Sequence, residues 1–131
     1  MHARAVGPIL RAFGALQLLQ GLFMAVAPRA FYDAIGPFGT YNAHYVLDAA
    51  TWALALGVVA LIAAGRPAWR VPVLAFAALQ FALHALNHVK DAGKADPVAV
   101  GVFDAVTLAA LAVVLAAAVR AAQRSPSPAR D

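Results

Sequence analysis

His84 and His88 stand four residues apart in an apolar stretch, and His44 stands four residues before Asp48 in another. Asp104 lies in a third. Ionisable groups are poorly solvated in hydrocarbon, so those retained in apolar segments mark ion, ligand or proton sites by default. A spacing of four puts each pair on one helical face. Imidazole suits zinc, iron, copper or nickel, and carboxylates complete a mixed nitrogen–oxygen shell. His44, Asp48, His84, His88 and Asp104 therefore read as a divalent metal site, zinc- or iron-like. An aspartate there either ligates the ion or orients a ligating imidazole. Gln20, Asn42 and Gln80 lie at similar depth or one turn away, as ligand contacts or supporting groups.

Other readings use the same residues. A small ligand or a transferred proton would need the same groups. A hydrogen-bonded network that only fixes helix packing is the structural alternative, at around 0.6 kcal/mol per bond. That would make the chain an accessory or structural membrane subunit. Haem ligation by His44 with His84 or His88 is disfavoured, because Asp48 and Asp104 make the surroundings acidic. A metal-dependent membrane enzyme ranks below binding and scaffolding. No catalytic residue is assigned, since cysteine is absent and the only serines are Ser125 and Ser127 near the end of the chain. Thr51 and Thr107 are expected to bond helix carbonyls, and Trp52 to pack or touch lipid.

These groups must be positioned by helices. The chain of 131 residues is 63% hydrophobic and 12% charged, with a mean hydropathy of +0.76. Soluble domains carry roughly 25% charged residues, so an integral membrane protein with a single domain is the expected class. Four segments reach the ~20 apolar residues a spanning helix needs: about 6–27, 43–64, 71–89 and 98–119. Pro28, Gly36-Pro37, Gly39, Gly65-Arg66-Pro67, Gly93 and Asp96-Pro97 mark the breaks, with Asp96 expected to cap the fourth helix. The tail 123–131 reads as disordered and cytoplasmic. The first span reads as retained rather than as a cleaved signal peptide, because Pro28 would follow the cut.

The expected fold is an all-α, four-helix membrane bundle. Arg4, Arg11, Arg66, Arg70, Arg120, Arg124 and Arg130 share one side, against Arg29, Lys90 and Lys94. The positive-inside rule then puts both termini in the cytoplasm of a plasma-membrane protein. The polar cluster would open on the opposite face. Basic residues scattered at helix ends, with no phosphate loop or nucleic-acid motif, leave the bilayer as the partner and exclude nucleic acid. A homo-oligomer or a membrane partner fits the class.

Ala12-Phe13-Gly14-Ala15-Leu16-Gln17 is similar to Ala75-Phe76-Ala77-Ala78-Leu79-Gln80, and Asp48-Ala49-Ala50-Thr51 to Asp104-Ala105-Val106-Thr107. The matches suggest a tandem hairpin duplication. With Gly21-Leu22-Phe23, Ala27-Pro28-Arg29-Ala30-Phe31-Tyr32, Tyr41-Asn42-Ala43-His44, Asp48, His84 and His88, residues 10–120 resemble small four-span proteins of actinobacteria, loosely similar to the DoxX-like superfamily. The resemblance implies a compact four-helix membrane bundle and lends no reaction. DoxX-like proteins are sometimes linked to redox partners, but a cysteine-free chain performs no thiol chemistry itself.

Overall fold

Pro28, Pro67 and Pro97 each stand where a helix begins, since proline lacks the N–H that a first turn leaves unpaired. The computed structural model describes residues 1–124. Helix α1 runs Val6–Val26 after a 3-10 turn at Ala3–Ala5. Pro28 opens the short helix α2, Pro28–Ala34. Helix α3, Ala43–Gly65, is capped by Asn42, whose side-chain oxygen accepts from the His44 and Tyr45 N–H groups. Helix α4, Pro67–Asp91, follows after one extended residue, Arg66. A 3-10 turn at Ala92–Lys94 leads to α5, Val98–Gln123. Helices α1, α3, α4 and α5 are each long and apolar enough to cross a bilayer. The chain is an all-α, multi-pass membrane protein.

The spans pack as two antiparallel pairs, α1 with α3 and α4 with α5. In hydrocarbon the inside of a bundle need not be greasier than the outside, so close approach of small residues holds helices together. Gly14 and Gly57 show this at the α1–α3 crossing, where a Cβ on either would meet the other's carbonyl at 2.9 Å. Leu10, Phe13, Leu56, Leu74, Phe81 and Leu115 fill a core shared by all four spans, at the end where the termini lie. An edge-to-face contact of Phe13 on Phe81, 5.5 Å between centroids, ties one pair to the other. Leu19, Leu86, Phe103 and Val113 point outward, as lipid-facing residues should.

Several expectations change. The third span begins at Pro67 rather than Val71, carrying Pro72 inside it. The segment after the first span forms α2 rather than a plain loop. Asp96 does not cap α5: the N-cap is Pro97, with no side-chain cap bond, and the Asp96–Pro97 peptide is cis. Gln123 ends α5 and Arg124 forms a turn, so the expected tail starts in helix and its remainder, 125–131, lies outside the described residues. The duplication equates Asp48 with Asp104 and Phe13 with Phe76. Yet Asp48 and Phe76 are exposed, whereas Asp104 is half-buried and Phe13 buried.

Candidate functional site

On α4 the buried positions Val73, Ala77, Phe81 and Ala85 form one stripe, and His84 and His88 fall within its width at about 100° per residue. His88 faces Asp104 of α5, and both imidazoles are half-buried. Their Nε2 atoms approach to 3.0 Å, one ring donating and the other accepting. The ring centroids are 4.7 Å apart. That is less than the N···N distance plus two ring radii, so the nitrogens converge at an angle rather than head-on.

Behind His88 stands Asp104 of α5. Its Oδ2 lies 3.9 Å from His88 Nδ1, and the two side chains are only 17% and 13% exposed. This is longer than a hydrogen bond, and Nδ1 has no hydrogen-bond partner. Asp104 can come this near because α5 begins against the turn before it. A Cβ at Gly101 would collide with the Ala92 carbonyl. Gln80, one turn below His84, buries an Oε1 atom without a hydrogen-bond partner.

A loop crosses over this end of the α4–α5 pair. Phe38 forms an isolated β-bridge with Ala95, and the Asp96 N–H donates to the Pro37 carbonyl at 3.3 Å. The Phe38 ring meets the His88 ring edge-on, with centroids 4.8 Å apart. Sequence reasoning missed Phe38, since nothing in a Gly-Pro-Phe-Gly loop announces which residue it covers. The loop itself is anchored. Tyr32 donates its hydroxyl proton to the Gly39 carbonyl, and Tyr32 packs on Tyr41 at 5.3 Å. Arg29 pairs with both Asp33 oxygens at 2.9 and 3.0 Å, and this hydrogen bonding raises the guanidinium pKa further. The same guanidinium lies 5.8 and 5.2 Å from the Tyr32 and Tyr41 ring centres.

The other expected site residues are placed differently. His44 and Asp48 pair with each other, Nε2 to Oδ2 at 3.4 Å, but their side chains are 77% and 67% exposed. Asn42 is engaged in capping α3 rather than in facing the histidines. Gln20 is half-buried on α1. Among the described residues, no group of three or more histidine, cysteine or acidic side chains is placed to hold one metal ion. All five candidates therefore do not meet in a single recess. The structure joins His84, His88 and Asp104, and leaves His44 with Asp48 on an outer face. Thr51 bonds the Asp48 carbonyl and Thr107 the Phe103 and Asp104 carbonyls, as expected of hydroxyls in apolar helices. Trp52 packs on Phe76 at 5.6 Å.

What this arrangement can do follows from its donors. Two imidazole nitrogens converge on one point from successive turns, and a carboxylate stands behind one ring. That set can share one cation between the rings, or hold α4 and α5 together. Compared with known proteins, the chain matches no family model, no curated protein and no solved structure.

Proposed function

We propose that this membrane protein binds a divalent transition-metal cation between His84 and His88, with Asp104 orienting the His88 ring. The observation that carries the reading is the 3.0 Å approach of the two Nε2 atoms. With metal–nitrogen bonds of 2.0–2.1 Å, that separation subtends ~95° at the ion, close to the angle between neighbouring octahedral ligands. A small ring rotation opens it towards the tetrahedral value that zinc prefers. Asp104 needs to approach by only ~1 Å to bond His88 Nδ1–H, which would fix the tautomer that leaves the His88 Nε2 lone pair for the metal. Gln80 Oε1 offers a further oxygen donor, and water or a small ligand would complete the shell. His44 and Asp48 play no part in this centre.

The wider reading is of a binding protein rather than an enzyme, in the plasma membrane with both termini in the cytoplasm. Membership of the DoxX-like superfamily belongs to the same proposal. One observation favours a second reading, helix glue: the His88–Asp104 contact joins α4 to α5. A zinc titration of detergent-purified protein separates the two. The metal reading expects one equivalent bound, lost in the His84→Ala/His88→Ala double variant and retained in His44→Ala. Equal binding by the double variant, or none by the native chain, ends the metal reading. If the native chain binds no zinc and the double variant melts earlier, glue is favoured instead.

A further inference from the structure

The α3–α4 pair leaves a groove on the outer surface that no other described residue fills. It has a volume of about 370 Å³ and is lined by Trp52, Val59, Trp69, Pro72 and Phe76, with almost wholly apolar walls. We infer that this groove holds one acyl chain of an anionic phospholipid, with the lipid phosphate at Arg66.

Three observations carry this. The first is depth. At ~1.5 Å rise per residue the lining runs on α4 from Trp69, ~3 Å from Pro67, to Phe76, ~14 Å from it, and on α3 from Val59, ~9 Å from Gly65, to Trp52, ~20 Å from it. One leaflet of a ~30 Å hydrocarbon core is about 15 Å, so the groove lies at the depth of one leaflet's acyl chains. The second is the group at its mouth. The Arg66 guanidinium stands 5.6 Å from the ring centre of Trp69, which lines the groove. A guanidinium held over an indole at the membrane surface is well placed for a phosphate, which it binds through paired N–H donors.

The third is charge. Arg4, Arg66, Arg70 and Arg124 lie at this end of the bundle, whereas the described carboxylates, Asp33, Asp48, Asp91, Asp96 and Asp104, lie at or near the other. Arg70 is already engaged, donating to the Ala64 carbonyl at 2.8 Å. That bond fastens the turn that carries Arg66. Among the described residues no carboxylate lies at this end, and an anionic headgroup supplies a negative charge for these arginines.

The chain's two tryptophans, Trp52 and Trp69, both line the groove, so its occupant can be read from intrinsic fluorescence. The protein is reconstituted into phosphatidylcholine vesicles containing a low, equal mole fraction of either brominated phosphatidylglycerol or brominated phosphatidylcholine. Brominated phosphatidylglycerol is expected to quench as strongly as an approximately fivefold higher fraction of brominated phosphatidylcholine, the preference one basic residue gives at an anionic surface. In Arg66→Gln, with helicity checked by circular dichroism, the two should quench equally. Equal quenching in the native chain overturns the inference without any variant. So does a preference that survives Arg66→Gln. Weak quenching by both lipids overturns it as well, and would put a second copy of the chain over the groove. None of these outcomes depends on metal binding at His84 and His88.

Discussion

His88 on α4 faces Asp104 on α5 at 3.9 Å, both side chains largely withdrawn from the surface. Sixteen positions separate them in sequence, and only the hairpin brings them together. By contrast, His44 and Asp48 lie closer at 3.4 Å within one helix and are mostly exposed. Proximity of a histidine to an aspartate is thus shared by the two pairs, and burial beside a second imidazole is particular to one. On this difference rests the assignment of distinct roles to two similar-looking motifs.

Replacing Asp104 should therefore weaken zinc binding where replacing Asp48 does not. Loss of a carboxylate behind a ligating histidine typically reduces metal affinity 10–100-fold. Asp104→Asn is expected to fall in that range and Asp48→Asn to match the native chain, as measured by competition with a chromogenic chelator. Equal effects of both substitutions would remove the distinction between the pairs.

Binding should also weaken as the pH falls. Imidazole ligates only as the neutral ring, so each of two ligating histidines adds proton competition. Apparent zinc affinity, followed over the mildly acidic to neutral range, is expected to rise with pH with a slope approaching two. The His84→Ala variant should show a shallower slope. A flat profile in the native chain would point to ligands other than these rings.

Phe38 covers His88, and its truncation should open the site. Phe38→Ala is expected to increase the rate of diethylpyrocarbonate modification at His88 and leave that at exposed His44 unchanged, with both sites read by peptide mass spectrometry. An unaltered rate at His88 would mean that the loop does not screen the pair.

The α1–α3 crossing gives a prediction about stability. At Gly14 a Cβ meets the Gly57 carbonyl and Leu61 at 2.9 Å, whereas at Gly65 nothing lies within 4 Å. Overfilling a packed contact typically destabilises by 1–3 kcal/mol. Gly14→Leu should lower the thermal midpoint in detergent by several degrees, and Gly65→Ala should leave it close to native. A native midpoint for Gly14→Leu would show that the helices do not meet there.

The four spans were legible because length and apolar character suffice to define a helix that crosses a bilayer. The His84–His88 pair was legible from its spacing of four. What could not be read was how each helix is rotated. Along α3, apolar residues run nearly all round, so hydropathy does not distinguish the inner face. The informative signal was residue size: the buried residues are Ala50, Ala53, Gly57, Ala60, Ala63 and Ala64, with Leu56 the one large side chain among them. Asp48 lies roughly 160° round the helix from Ala50 at 3.6 residues per turn, which turns it and His44 outward. The same reasoning accounts for Asp104, whose approach depends on Gly101 at the start of α5. Phe38 was out of reach for a different reason: its contact with His88 is set by a loop crossing between the two hairpins, which leaves no periodic trace.

The most direct test of the central claim is X-ray absorption at the zinc edge of the zinc-loaded protein. Nitrogen scatterers are expected at about 2.0–2.1 Å with outer-shell scattering from two imidazole rings, unchanged in His44→Ala and reduced to one ring in His88→Ala. A shell of oxygens alone, or two rings persisting in His88→Ala, would contradict it.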